Sequence, residues 1–417
     1  MWAPITADSP SVMRQLNLAV ILDEIRSAGP ISRPQLAKQT GLSVPTVTNA
    51  VETLLAKDFI EEMESSDPHR PGPRAKLLTF RATHGYIMGI DVGAHSAVAA
   101  VADLAANVLA LKRIVNKNSE SGIPHKQDVL GSIRQAARDA LTEAGVSASD
   151  LHAITIGTPG VVSPEDGTLS LAPQIIGWEG INLASELADL ADCPIVTENE
   201  SQLSLLAEQW RGNAAHYKDV VYVQLGIGIG SAYLVDGKII RGNRGAAGEI
   251  AYMLTGEEEV GTPPQHDVGT FEWFAGGQAY RRHGIRAIND EPDGLIAKMV
   301  DGDTSKVTAQ VIFEAATAGD KRAKSIVQIL LKRFARGVSN ITTITNPELL
   351  LIGGGITKAG PVVAESIREV LKAHTPFPPE VKLTELGDEG TVMGAVRRSM
   401  QVADEINFSF VLSEKRK

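Results

Sequence analysis

The sequence predicts an N-terminal winged helix-turn-helix of the α+β type, followed by a larger α/β body. The first observation is that residues 1–81 hold short helical patterns around a glycine-containing turn, followed by two short β-type runs. The second is that the chain after Arg81 changes to strand-like runs that end in glycine-rich turns. The length of 417 residues agrees with two or three domains.

The composition predicts a soluble globular protein. Hydrophobic residues make up 43% of the chain and charged residues 22%. The single cysteine, Cys193, excludes an internal disulfide framework and any site built from several thiolates. The apolar run Leu18–Leu22 is too short for a signal segment, so we expect a cytoplasmic protein without a membrane partner.

The net charge of −10 is distributed unevenly. Residues 1–81 hold nine Lys and Arg and nine Asp and Glu, so the whole negative excess lies in the rest of the chain. A neutral head on an acidic body permits DNA binding by the head alone.

The head begins with two predicted helices. Apolar residues recur on one helical face over Val12–Ala28, and Gly29-Pro30 ends that helix. Ser32 is then a suitable N-cap for a short helix that runs through Gln39, and Gln35 occupies the capping-box position.

A turn, a third helix and a wing complete the predicted head. The turn Thr40–Leu42 is followed by Ser43, which caps a helix over Val44–Lys57. The runs Phe59–Met63 and Ala75–Phe80 lie on either side of a segment rich in proline and glycine, which indicates a β-hairpin wing.

The third helix and the wing supply the candidate DNA contacts. The cap and exposed early face of this helix offer short hydroxyl and amide side chains for base edges in the major groove, namely Ser43, Thr46, Thr48 and Asn49. The basic side chains suited to phosphate contacts are Arg33, Lys38, Arg74 and Lys76. The alternative is a small three-helix interaction module that does not bind DNA.

The body begins with a strand–turn–strand pattern. Residues Tyr86–Gly93 end in Asp91-Val92-Gly93, and the chain returns as Ala97–Leu104. Hairpins of this kind contact nucleotide phosphate in the ATPase superfamily of actin, hexokinase and Hsp70, although Asp-x-Gly alone is common in turns. Further along, we expect a helix over 132–144 and strands over 153–157, 194–197, 220–225 and 349–352.

An acidic and amide-rich segment, Thr197–Glu208, lies where a strand passes into a helix. Carboxylates and amides at such a junction suit the binding of vicinal hydroxyls. The segment occurs with four further motifs: Gly226–Gly230, Gly248-Glu249, Gly269–Glu272 and Gly353–Gly355. In this combination, nearly the whole chain resembles the ROK family (repressors, open reading frames, kinases). Family repressors carry a helix-turn-helix where this chain does, and family kinases lack it.

The resemblance implies an actin/hexokinase-like ATPase fold, in which two RNase-H-like α/β domains clamp a sugar between them. It divides the chain into a winged helix-turn-helix domain (1–81), a first α/β domain (82–198) completed by a C-terminal helix at about 388–405, and a second α/β domain for ligand binding and oligomerisation (199–387). The implied sugar contacts are Asn199, Glu200, Glu249 and Glu272.

Several positions depart from the pattern of the family's kinases. Glu200 occupies the position of their Asp base, and its added methylene moves the carboxylate by more than about 1 Å, which can cost about a hundredfold in rate. Gln202 replaces an Asn. The turn Asp91–Ser96 lacks the usual Gly-Thr pair, and Ile227 replaces a Thr whose hydroxyl meets phosphate. We therefore expect no catalytic residue and no kinase activity, with Glu200 retained as a hydroxyl acceptor.

The family's structural zinc site, built from one His and three Cys, is also altered. The matching positions are Tyr252, Pro263, Gln265 and Thr270, none of which is a competent zinc ligand. We expect no metal and no cofactor. Tyr252 remains a candidate ligand contact, because its ring can stack on a sugar and its hydroxyl can donate one hydrogen bond.

Three functions remain open from the sequence. The leading hypothesis is a regulator, most simply a repressor of carbohydrate genes, that binds a palindromic operator as a homodimer or dimer of dimers and responds to a sugar or sugar derivative. The second is an active ATP-dependent sugar kinase that also binds DNA. The third is a ligand-blind scaffold for oligomerisation.

Overall fold

The computed structural model describes residues 10–64, 76–117, 123–256 and 268–413, and it confirms the predicted winged helix-turn-helix. The helices of the head are α1 (Pro10–Ala28), α2 (Arg33–Thr40) and α3 (Val44–Ala56). Its wing pairs β1 (Ile60–Glu64) antiparallel with β2 (Lys76–Phe80).

The local sequence explains the boundaries of these helices. Ser32 forms a capping box with Gln35 at the start of α2, and Gly41 ends that helix in the left-handed conformation with φ of 69°. At the start of α3, the hydroxyl of Ser43 accepts a hydrogen bond from the backbone N–H of Thr46.

The first body sheet is mixed. Its strands are β3 (Tyr86–Val92), β4 (Ser96–Asp103), β5 (Val108–Val115), β6 (Leu151–Thr158) and β9 (Ile195–Asn199), while β7 (Val161–Val162) and β8 (Leu169–Ser170) form a separate small hairpin. The order is β5-β4-β3-β6-β9, with an antiparallel β3–β5 meander and parallel pairing from β3 to β9.

Helix α4 (Lys126–Ala144) packs against this sheet, and the short α5 (Leu183–Glu186) precedes β9. The expectation that α4 starts near Ser132 was wrong. The helix begins at Lys126, because Val129 and Leu130 already belong to its buried face.

The second body sheet has a related arrangement. Its strands are β10 (Val220–Leu225), β11 (Ile229–Val235), β12 (Lys238–Ile240), β13 (Leu349–Gly353) and β14 (Glu380–Leu383), in the order β12-β11-β10-β13-β14. The helices of this part are α7 (Thr270–Ala275), α8 (Gly277–Asp290), α9 (Leu295–Met299), α10 (Ala309–Thr317), α11 (Lys321–Thr345) and α12 (Pro361–His374). Together the two sheets confirm the predicted α/β body.

Helices α6 (Glu200–Arg211) and α13 (Gly390–Ser413) pack against each other and against the first sheet. Gly394 of α13 lies so close to Leu203 of α6 that a Cβ atom at this position would overlap the Leu203 backbone. The hydroxyl of Ser399 donates to the Met88 carbonyl of β3 at 2.7 Å. The C-terminal helix therefore returns to the first sheet, while the three predicted domain boundaries stay predictions.

The head and the body share one hydrophobic core. Leu22 and Ile25 of α1 belong to the same buried cluster as Ile87 of β3 and Val396 and Met400 of α13. No helix in the described parts of the chain is long and apolar enough to cross a membrane.

Candidate functional site

A cleft of about 410 Å³ lies between the two body sheets. It is lined by the ends of β3 and β9, the start of α6, the turn between β10 and β11, the turn after β13 and the start of α13. All five side chains predicted from the sequence to bind ligand line it: Asn199, Glu200, Glu249, Tyr252 and Glu272. Their role as ligand contacts stays a prediction.

Asn199 organises the junction between β9 and α6. Its Oδ1 accepts from the backbone N–H groups of Ser201 at 2.9 Å and Gln202 at 3.2 Å, which caps α6. Its Nδ2 donates to the Gly160 carbonyl at 2.9 Å, which leaves one N–H for a ligand. Asn199 thus fixes Glu200, the first residue of α6, at the cleft.

Glu198, the residue before this junction, is buried in a cluster of charges. Arg241 donates to its carboxylate from Nε at 3.1 Å and from Nη2 at 2.9 Å, and Arg398 of α13 donates from Nε at 3.2 Å. The three side chains join β9, the segment after β12 and α13. Glu198 belongs to the acidic segment Thr197–Glu208, but its two arginine partners are too distant in the chain to be predicted from the sequence.

Glu272 connects the acidic end of the cleft to the glycine turn between β10 and β11. Its Oε2 accepts from the backbone N–H of Ile229 at 2.8 Å. A side chain at Gly228 would overlap the Glu272 carboxylate. Glycine at this position lets the turn approach the Glu272 carboxylate without displacing it.

Four carboxylates in the cleft have raised pKa values. Burial raises the pKa of Glu200 to about 8, with further contributions from the negative charges of Asp91, Glu249 and Glu272. Burial likewise raises the pKa of Asp91 to about 7, and it raises the pKa values of Glu249 and Glu272. At neutral pH the raised pKa favours the protonated form of Glu200.

The altered phosphate positions line the same cleft. Ala94 and His95 occupy the turn after β3, and Ile227 is 49% exposed in the turn after β10. His95 and Ile227 lack the Thr hydroxyl that the family's kinases use at these turns, and Ala94 stands where the kinases usually have a glycine. Gln202, which replaces the kinases' Asn, is buried and does not line this cleft. This replacement therefore affects the packing of α6 and not the cleft surface.

The structure adds cleft residues that sequence reasoning missed. Arg113 of β5 donates from Nη1 to the Ser96 hydroxyl at 3.0 Å, and Gln174 lies in the loop after β8. Neither belongs to a sequence pattern that would identify it. Asp91 was identified only as part of the turn motif.

The described residues contain no group of three or more His, Cys, Asp and Glu side chains placed to hold a metal ion. Tyr252 and Thr270 are within the described residues. Pro263 and Gln265 lie outside them.

On the predicted DNA-binding surface, some side chains are hydrogen-bonded within the head and others are exposed. The hydroxyls of Ser43 and Thr46 are 2.8 Å apart, and the Thr48 hydroxyl donates to the Val44 carbonyl at 2.9 Å. Asn49 and Lys38 are exposed.

Two of the predicted phosphate contacts are held by one acid. Glu62 accepts from Arg33 at 2.7 Å and from Lys76 at 2.6 Å, and these hydrogen bonds lower the pKa of Glu62. Glu62 of β1 thus brings Arg33 of α2 together with Lys76 of β2. Arg74 lies outside the described residues.

Comparison with known proteins identifies both parts of the chain. The model of the ROK family matches residues 87–400, and a model of winged helix-turn-helix DNA-binding domains matches residues 20–61. The chain is 24% identical over 403 residues to the xylose repressor of Caldicellulosiruptor bescii, covering 95% of this chain and 98% of that protein. It is 26% identical over 404 residues to the DNA-binding transcriptional dual regulator NagC of Escherichia coli, covering 93% and 94%.

Kinases and a solved regulator also match. A glucokinase of Halalkalibacterium halodurans is 27% identical over 316 residues, covering 74% of this chain and 93% of that enzyme. The crystal structure of a ROK family transcriptional regulator, a homologue of E. coli MLC, matches with a TM-score of 0.79 at 21% identity, covering 96% of this chain and 99% of that one. This last likeness supports the fold.

Proposed function

We propose that this chain, which belongs to the ROK family, is a sugar-responsive DNA-binding transcriptional regulator. The observation that carries the proposal is that a winged helix-turn-helix head shares its hydrophobic core with the part of the body that forms the acidic cleft. A ligand that changes the body is thereby connected physically to the head. Repression of genes for carbohydrate uptake or catabolism is the simplest form of this function, by analogy with the xylose repressor and NagC.

The chemistry of the cleft supports a polyhydroxylated effector. Carboxyl groups accept hydrogen bonds from hydroxyl groups, with charge assistance where the acid is ionised, and three glutamates converge here. Because the negative charges of Asp91, Glu249 and Glu272 already raise the pKa of Glu200, the acidic end disfavours an anionic ligand. An uncharged sugar or sugar derivative is the ligand class that fits.

Kinase activity is the second candidate, since glucokinases are among the relatives. Against it, His95 and Ile227 stand where the family's kinases have a Thr hydroxyl at the phosphate turns, and Glu200 replaces their Asp base. We propose that the body senses sugar without phosphorylating it.

We propose that the regulator works in the cytoplasm as a homodimer or a dimer of dimers. One head presents a single recognition helix, and paired heads related by two-fold symmetry read a palindromic operator. The effector must bind the DNA-competent and DNA-incompetent states with different affinity for release to occur.

Thermal-shift screening with D-xylose, D-glucose and N-acetyl-D-glucosamine tests the sensor. We expect one sugar to raise the melting temperature, and this gain to disappear in Glu249→Ala and Glu272→Ala. A ligand present at a hundred times its Kd adds about 2.7 kcal/mol of stability, a readily measured shift. The absence of any sugar-dependent shift would support the ligand-blind scaffold.

An ATP-coupled assay over the same sugars separates the regulator from the kinase. We expect no turnover above background. Turnover that is lost in Glu200→Ala would establish the kinase instead. The sugar that binds should then change the affinity of the full chain for operator fragments selected from genomic DNA.

A further inference from the structure

We propose that Gln174 is a specificity-determining residue of the cleft, whose side-chain oxygen accepts a hydrogen bond from one O–H or N–H group of the effector. This inference rests on the proposed function, because it concerns the effector of the same cleft.

The first support is an unpaired polar atom. The Oε1 of Gln174 is buried and has no hydrogen-bonding partner among the described residues, although Gln174 lines the cleft. A buried acceptor without a partner costs free energy, and most such atoms in proteins are paired. A donor group of a bound ligand supplies the missing partner.

The second support is that the loop around Gln174 is firmly held. Ala172, Ile175 and Trp178 are buried in the core of the first sheet. The indole Nε1 of Trp178 donates to the Thr158 hydroxyl at 2.9 Å, and both groups are buried. Gln174 therefore lies between anchored neighbours, as a residue that selects a ligand must.

The third support is a direct connection to the predicted sugar contacts. Asn199 donates to the Gly160 carbonyl, and a Cβ atom at Gly160 would lie 2.7 Å from the Ser170 carbonyl and 2.8 Å from the Ala172 Cβ. Gly160 thus allows the segment leading to Gln174 to approach the Asn199–Glu200 junction closely.

The acceptors in the cleft also favour a donor on the ligand. Glu249 and Glu272 offer carboxylate oxygens, and Gln174 adds an amide oxygen from the loop after β8, whose buried neighbours pack on the first body sheet. A sugar with hydroxyls on both edges satisfies acceptors from both sheets at once. Contacts of this kind reject analogues that lack one donor, because a buried acceptor is then left unpaired.

The test compares the full-length protein with Gln174→Met, which keeps the length of the side chain and removes the hydrogen bond. The probe is whichever of D-glucose, D-xylose and N-acetyl-D-glucosamine stabilises the wild type most, together with its monodeoxy analogues, measured by calorimetry. We expect the substitution to weaken binding of the parent sugar about tenfold. One deoxy analogue should bind the wild type about tenfold more weakly than the parent sugar does. The same analogue should bind Gln174→Met and the wild type with similar affinity.

Gln135→Met is the matched control, because Gln135 is exposed on α4 and bonded to Asp139, away from the cleft. It should bind the sugar as the wild type does. If the wild type binds a sugar, and Gln174→Met binds that sugar and each deoxy analogue with the same affinity as the wild type does, the assignment of Gln174 is wrong. The proposed function then still stands. If no sugar binds the wild type, the proposed function fails and this inference fails with it.

Discussion

At the residue scale, the cleft contains four partly buried acids whose ionised forms destabilise the ligand-free protein. Asp91, Glu200, Glu249 and Glu272 share one partly buried space, and each has a raised pKa. Protonation relieves both the burial of charge and the mutual repulsion. Hydroxyl groups of a ligand relieve the same cost by donating hydrogen bonds. A hydroxylated ligand is therefore favoured, because its hydroxyl groups offset the free-energy cost of burying these acids.

The ligand-free protein should lose stability as the pH rises through the cleft's titration range. The pKa of Glu200 is raised from 4.5 to about 8 on folding, so the folded state holds more protons than the unfolded state between these values. This group's favourable contribution is complete below its unfolded pKa and is lost as the pH rises toward 8. Urea unfolding midpoints at pH 5, 6, 7 and 8 should fall less steeply for Glu200→Gln than for the wild type.

The control for this comparison is Glu165→Gln, at an exposed position outside the cleft. Its unfolding midpoints should follow those of the wild type at every pH. Parallel curves for the wild type and Glu200→Gln would show that Glu200 titrates normally in the folded protein. The pH dependence would then need another source.

At the element scale, sequence reasoning succeeded where the signal was local. Ser32 with Gln35 and Ser43 fixed the starts of α2 and α3, because a cap is formed within a few residues. The role of Gln174 was not predictable, because it depends on packing between a loop and distant strands. The ties of Glu198 to Arg241 and Arg398 also join residues far apart in the chain.

The exposed face of α3 carries the next prediction. Asn49 is exposed, whereas the Thr46 and Thr48 hydroxyls already bond within the head, so Asn49 is the freest of the predicted base contacts. Asn49→Ala should weaken specific operator binding about tenfold or more, and non-specific binding much less. Lys38→Ala should weaken both and reduce the salt dependence. Equal losses in Asn49→Ala would remove Asn49 from the base-reading set.

The contact between α6 and α13 gives a matched pair of glycine substitutions. Gly394→Ala puts a methyl group into the Leu203 backbone and should destabilise the protein by about 1–3 kcal/mol or more. Gly131→Ala on α4 meets open space and should stabilise it by up to about 1 kcal/mol, because alanine favours helix. Chemical denaturation measures both. Equal stability of the two variants would show that α13 can move away from α6 without cost.

At the scale of the whole molecule, α13 connects the cleft to the head. Its Thr391 lines the cleft and lies 3.0 Å from the Ser204 hydroxyl of α6. Farther along the helix, Asp404 accepts two hydrogen bonds from Arg26 of α1, at 2.8 and 2.9 Å. The guanidinium of Arg26 also lies 4.6 Å from the centre of the Phe80 ring in the wing. A shift of α13 would therefore reach both α1 and the wing.

The pair of Arg26 and Asp404 is the link whose loss should loosen the head. The Arg26 side chain is 9% exposed, and Asp404 is nearer to it than its other acidic partner, Asp23, at 4.0 Å. Asp404→Asn therefore removes the main counter-charge of a largely buried cation and should destabilise the head by about 1–3 kcal/mol. Hydrogen exchange should quicken in α1, while sugar binding stays unchanged and the effect of sugar on operator affinity falls. Asp290→Asn breaks an exposed pair with Arg322 and should change stability by less than about 0.5 kcal/mol. If Asp404→Asn leaves both exchange in α1 and the sugar response intact, coupling must reach the head through the apolar contacts of α13 alone.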